Sequence, residues 1–274
     1  MGSFVLVYTA VLLLLGTLGW IIRYGHREAY KPSLTALWLS WLEFWALAAA
    51  IFFISSGIST AFRRILGLWP NVAELWNEAE WSLLMDGLYQ LSLLLFFLFI
   101  QARKIWVLPR TWERRHALGN IFASALRAFL LFIPLLWVLN LVWGGLSYFL
   151  SECFSSFPFR LEEQELIRNF YELRSWPMRG LFGLCILVGA PLVEELLFRY
   201  GLYRFLKGKW NAPKACWATS LAFGLLHAHW LSFVPLVGLS VFLIRLYERE
   251  KNLLPCVLVH ALFNANTLLL LQLG

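Results

Sequence analysis

Three short motifs carry the residues in this chain that could do chemistry: Glu194-Glu195-Leu196-Leu197-Phe198-Arg199, Phe223-Gly224-Leu225-Leu226-His227 and His260-Ala261-Leu262-Phe263-Asn264. All three lie in stretches apolar enough to cross a membrane. A charged side chain at the centre of a bilayer costs about 2.5 to 3.5 kcal/mol even on lenient insertion scales, so ionisable groups gathered there point to a function. Glu195 and Arg199 stand four apart on a helix, with the acid N-terminal to the base, the better order for an ion pair. Glu194 is rotated about 100° from that pair, which leaves it as the working carboxylate while its neighbour supports Arg199. Phe223 and His227 share one helical face, and so do His260 and Asn264.

A carboxylate and an imidazole in a partly dry pocket can share general-base duty on a water molecule. A second imidazole and an Asn amide can donate hydrogen bonds to a developing oxyanion, a role often worth a few kcal/mol. Together they describe amide hydrolysis by activated water, with Glu194, His227, His260 and Asn264 catalytic and Glu195, Arg199 and Phe223 in support. No cofactor is needed. The same Glu194, His227 and His260 are also a possible Zn²⁺ set with one position left for water. The absence of a His-Glu-x-x-His helix and the Asn beside His260 favour the metal-free chemistry, and spacing alone leaves both open. His229, two residues past His227, points elsewhere and reads as interfacial.

These residues need helices to hold them. Hydrophobic residues form 60% of the 274-residue chain, charged residues 14%, and 15 positions are Trp, a composition of polytopic membrane proteins. The expected fold is all-α, with about eight transmembrane helices at roughly residues 3–22, 37–58, 81–101, 121–148, 180–206, 215–230, 231–247 and 253–273. Pro235 and the polar run from His227 to Ser232 separate the sixth span from the seventh. The first segment lacks a basic leader and a small-residue cleavage site, and reads as a retained span. Residues 161–171 alternate apolar and acidic faces, as expected of an interfacial helix that caps the bundle or gates a substrate. The basic stretch Arg103 to Arg115, with Trp106 and Trp112, reads as an inner-face anchor. Spans 1 to 3 (residues 1–119) read as an accessory layer and residues 120–274 as the core. Cys153, Cys185, Cys216 and Cys256 show no metal or redox spacing and read as small core residues.

Depth brings the motifs together. Spans 5 and 6 are joined by the turn Lys207 to Lys214, and Glu194 and His227 each lie 13 residues from it. At 1.5 Å per residue both sit about 20 Å from that turn, with His260 about 12 Å and Asn264 about 18 Å from Asn252 on the same side. Basic residues crowd the loops after spans 1, 3, 5 and 7, so those loops face the cytoplasm and both termini face away. The formal charge of +7 is then mainly a topology signal with some contact to anionic lipid, and nucleic acid is excluded as a partner.

On EELLFR, FGLLH and HALFN, in that order and on helices of the expected depth, the chain resembles the intramembrane CAAX-protease and bacteriocin-processing (CPBP, or Abi) family, over roughly residues 180 to 270. A eukaryotic relative of that family trims prenylated CAAX proteins. The resemblance implies Glu194 as the activating carboxylate, His227 as its partner on water, and His260 with Asn264 as the oxyanion site. Glu195 and Arg199 would be structural support. It implies a membrane-associated protein or peptide substrate and, for the host, a bacterial cell membrane, and it leaves substrate identity and oligomeric state open. Two other functions compete. A proton-coupled permease would use Glu43 and Asp86 in a relay, against which stands the lack of internal repeats. A non-catalytic scaffold or immunity protein would keep the motifs only for structure.

Overall fold

The computed structural model describes residues 39–69, 74–103, 117–154 and 165–273, and every regular element among them is helical. In chain order these are α1 (Trp41–Leu66), α2 (Glu78–Arg103), α3 (Leu118–Cys153), α4 (Glu165–Glu172), α5 (Trp176–Lys209), α6 (Ala212–Leu226), α7 (Trp230–Glu250) and α8 (Leu254–Leu273). Five of them, α1, α2, α3, α5 and α7, are long and apolar enough to cross a membrane, so the protein is integral to one.

That number is below the eight spans expected, for two reasons. The segment 3–22 and the basic stretch 104–116 lie outside the described residues. In addition, α6 has only 15 residues and so reaches about 22 Å, short of a hydrocarbon core about 30 Å thick. α8 itself runs for 20 residues, about 30 Å and enough for a span, of which Leu254–Leu270 is the part whose side chains are described. The break foreseen between the sixth and seventh spans falls at His227–His229, and Pro235 lies inside α7 rather than at the break. The interfacial helix begins at Glu165 as α4, and the earlier part of that expectation lies outside the described residues.

The described residues belong to two units whose boundary falls within α5, between Glu194 and Glu195. The first unit holds α1, α2, α4 and α5 up to Glu194. Ser40 and Glu43 form a capping box at the start of α1, so Glu43 is engaged at a helix end. Asn77 and Glu80 repeat the device on α2, and Glu80 also accepts from the Arg174 amide at 3.2 Å, which ties the start of α2 to the linker before α5. Against α2, α5 comes close at two small residues: Gly87 faces Cys185, and a side chain at Gly189 would overlap the Gln90 amide. Only 11% of the most apolar window of α1 is buried, so its Trp, Phe and Ile side chains are left for lipid.

The second unit holds α3, α5 from Glu195, and α6 to α8. Phe132 stacks on Phe242 at 4.5 Å between α3 and α7. Gly224 lets α6 approach α7, since a Cβ there would stand 2.8 Å from Val237 Cγ2 and 3.1 Å from the Phe233 carbonyl. Asn211 caps α6 by accepting from the Lys214 amide, and Asn252 accepts from Leu254 as α8 begins. At the basic end of α5, buried Glu248 on α7 receives Tyr203 Oη and Lys207 Nζ, each at 2.6 Å, and Arg204 donates to Tyr247 Oη at 3.0 Å. This network fixes α5 to α7 one to two turns from the cluster described next.

Candidate active site

Glu195 opens a nine-residue π-helical stretch, Glu195–Tyr203, in which backbone hydrogen bonds reach five residues rather than four. Such stretches recur at functional sites. Glu195 and Arg199 are both fully buried, with Nη1 3.0 Å from Oε1. The same Oε1 accepts from Nδ1 of His260 on α8 at 2.8 Å. A carboxylate oxygen accepts, so Nδ1 of His260 carries a proton, and in the neutral ring the lone pair is on Nε2. Glu195 therefore orients His260 as well as neutralising Arg199. The sequence motifs foretold the ion pair but not the His contact, because nothing in local spacing signals a partner 65 residues away.

Phe223 is the hub around which these groups are packed. Its ring is fully buried, edge-on to Phe198 at 5.0 Å, 5.9 Å from the His260 ring and 4.6 Å from the His227 ring. The Arg199 guanidinium lies 4.4 Å over its face, so the π-cloud shares the cation with Glu195. The position was expected to be supportive, and the structure gives it the middle of the cluster. His227 ends α6, exposed, with Nδ1 2.7 Å from the Phe223 carbonyl. A carbonyl can only accept, so Nδ1 is the protonated nitrogen, and the neutral ring has its lone pair on Nε2. Asn264 is half-buried one turn beyond His260 on α8. His229 stands at the start of α7 with Nδ1 2.8 Å from Ser232 Oγ.

Glu194 is the last residue of the first unit, half-buried, and the peptide bond holds its Cα about 3.8 Å from that of Glu195. Among the described residues no three His, Cys, Asp or Glu side chains stand together as a metal ion requires. All four cysteines are free, Cys185 and Cys256 buried. Buried Cys256, one turn before His260, points its thiol at the Leu243 carbonyl at 3.4 Å, so it braces α8 against α7.

Residues 176–266, which hold the whole cluster, match the Rce1-like family, described as type II CAAX prenyl endopeptidase Rce1-like. The chain is also 30% identical over 144 residues to the UPF0177 protein YbdI of Lactococcus lactis subsp. lactis (strain IL1403), an alignment covering 49% of this chain and 75% of that protein. The chain belongs to the Rce1-like family. The family resemblance seen in EELLFR, FGLLH and HALFN is thus met by the match, and all three motifs fall inside it. No solved structure matches this chain.

Proposed function

We propose that this Rce1-like protein is an intramembrane endopeptidase that hydrolyses a peptide bond in a membrane-associated substrate, such as a CAAX-like tail, a C-terminal sorting signal or a small peptide. The observation that carries the reading is the buried Glu195–His260 bond inside the segment shared with the family. It gives His260 a defined tautomer beside a carboxylate that Arg199 already balances.

In the proposed reaction Glu194 takes a proton from water while His227 Nε2 accepts its second hydrogen and aims it. The water oxygen bonds to the scissile carbonyl carbon, and the C=O pair moves onto oxygen. His260 and the Asn264 amide donate to that oxyanion. For Nε2 of His260 to donate, the ring must be imidazolium with Nδ1–H on Glu195. Glu195, Arg199 and His260 then carry one net positive charge, opposite to the oxyanion, in a site where such charges are strongly felt. Collapse breaks the C–N bond, and Glu194 returns its proton to the leaving amine. The new carboxylic acid gives up the water's second hydrogen by way of His227 Nε2, so the products are a carboxylate and an ammonium ion. No step is assigned to a metal ion. The loops after α2, α5 and α7 face the cytoplasm in this reading, and the host membrane is bacterial.

The test uses purified wild type and Glu194→Gln in detergent micelles against membrane-anchored peptides that include a farnesylated CAAX-terminated reporter, read by mass spectrometry with and without chelator. Cleavage by wild type alone, indifferent to chelator, is expected. Cleavage retained by Glu194→Gln overturns the assignment. Loss with chelator and rescue by Zn²⁺ moves Glu194, His227 and His260 to metal ligands.

A further inference from the structure

The turn that presents His227 carries a strained residue. α6 ends at Leu226, His227 keeps helical torsions, and Ala228 follows with φ 49°, a left-handed backbone that glycine adopts without strain and alanine does not. His229 then starts α7 in the N-cap position, its ring bonded to the Ser232 hydroxyl at 2.8 Å rather than capping a first-turn amide. A left-handed alanine between two helices costs strain that the local bonds of the turn, Ala228 N–H to the Leu225 carbonyl and His229 to Ser232, do not remove, so contacts from a third helix matter here.

α3 supplies them. Trp143 Nε1 donates to the carbonyl of Trp230, the first residue of α7, at 2.8 Å, and Trp230 Nε1 donates to Ser147 Oγ on α3 at 2.9 Å. Trp143 and Ser147 are four apart and share a face of α3. The two indoles pack at 4.7 Å, Ser147 is fully buried, and Trp230 stacks in turn on Phe233. Each indole thus spends its single polar atom on the other helix, which fixes both position and rotation of α7's first residue, three residues after His227. Phe233 in turn lies against Gly224, one turn before His227 on α6, so the same contacts close the α6–α7 corner from its inner side.

We propose that the Trp143–Trp230 clasp is a positioning device for catalysis, holding Ala228 in its left-handed conformation and so setting where His227 Nε2 meets the attacking water. This rests on the proposed hydrolase reading. Trp143 touches neither substrate nor water in this scheme; it acts through Trp230 and the turn.

The experiment compares wild type, Trp143→Phe, Ser147→Ala and Trp143→Phe/Ala228→Gly in detergent micelles. Hydrogen–deuterium exchange is read on residues 227–231, and kcat and KM are read on the farnesylated CAAX-terminated reporter. Trp143→Phe keeps an aromatic ring but loses the donor and part of the packing on Trp230; Ser147→Ala removes the acceptor from the other half of the clasp with little change in volume. Either is expected to speed exchange at the turn and lower kcat about tenfold, the effect of one lost hydrogen bond, with KM changed by less than about twofold. Ala228→Gly makes φ 49° accessible without support and is expected to return kcat in the Trp143→Phe background to within about twofold of wild type. A merely structural role for Trp143 predicts no such rescue. The proposal is overturned by unchanged exchange at the turn, by faster exchange with unchanged kcat, or by a kcat loss that Ala228→Gly leaves in place. Should wild type cleave no peptide, the protease reading fails on its own, and exchange at the turn still decides whether the clasp holds it.

Discussion

Removing the charge of Glu195 should expose how this membrane interior tolerates an arginine. In the folded protein Arg199 has no exposed surface, one carboxylate oxygen at 3.0 Å and one aromatic face at 4.4 Å. Glu195→Gln keeps the size and keeps an oxygen able to accept from His260 Nδ1–H, so the His contact survives while the guanidinium loses its counter-charge. Breaking a buried pair from one side costs roughly 3 to 5 kcal/mol, because the remaining charge stays desolvated and uncompensated. Arg199→Met is the milder lesion: the stranded Glu195 keeps the hydrogen bond from His260 Nδ1 at 2.8 Å. Its cost should fall at the lower end of the same range, with loss of the cation over Phe223 included.

The double variant Glu195→Gln/Arg199→Met leaves no charge behind and should recover most of the loss, giving a coupling of about 2 kcal/mol or more. The assay is reversible unfolding by sodium dodecyl sulfate in mixed micelles, followed by circular dichroism, for wild type, both single variants and the double. Single-variant losses that simply add in the double variant would refute the reasoning, as would a Glu195→Gln protein as stable as wild type. Cleavage measured on the same proteins separates stability from chemistry. Folded Glu195→Gln should still lose turnover, since an imidazolium at His260 would then face Arg199 without the intervening anion.

Two further outcomes follow from packing and charge. Gly224→Ala places a methyl group against Val237 and the Phe233 backbone, forcing α6 from α7 at a cost of about 1 to 3 kcal/mol; a thermal shift of zero would show that the helices have room to part. In a cysteine-free background, Lys209→Cys at the exposed end of α5 should react with a membrane-impermeant maleimide from the cytoplasmic face only; labelling from the opposite face would invert the orientation argued from the basic loops.

The helices were legible wherever apolar runs ended in recognisable caps. The apolar runs set the starts of the fifth and sixth spans at 180 and 215, a few residues inside the caps Ser175 with Pro177 and Asn211 with Pro213 that begin α5 and α6, while the polar run after His227 marks the end of α6. Glu195 with Arg199, and Phe223 with His227, were legible because helical spacing alone places i and i+4 together. What spacing could not supply was anything between helices. His260 reaching Glu195 and Trp143 reaching Trp230 depend on rotation and register set by packing at small residues such as Gly224. The change to π-helical bonding at Glu195 was also hidden, for no residue type in EELLFRYGL announces a five-residue hydrogen-bond reach. The expected sixth span is shorter than hydropathy suggests, because hydropathy does not register that α6 stops after 15 residues.

That change of bonding bears on why two adjacent glutamates are present. In an α-helix a residue four along overshoots a full turn by about 40°; where bonds reach i+5 the turn is wider, and four residues fall short of it. Starting the wider turn at Glu195 moves Arg199 around the axis relative to an ideal α-helix, and in this setting it meets Phe223 and one oxygen of Glu195 at once. Glu194, the last α-helical residue before the switch, is not part of that rearranged turn. Its neighbour's charge is matched by Arg199 and its neighbour's oxygen holds His260, so Glu195 alone holds the cation and the imidazole. In the proposed reaction the two glutamates thereby divide the work: Glu195 fixes Arg199 and His260, and Glu194 takes the proton from water and gives it back.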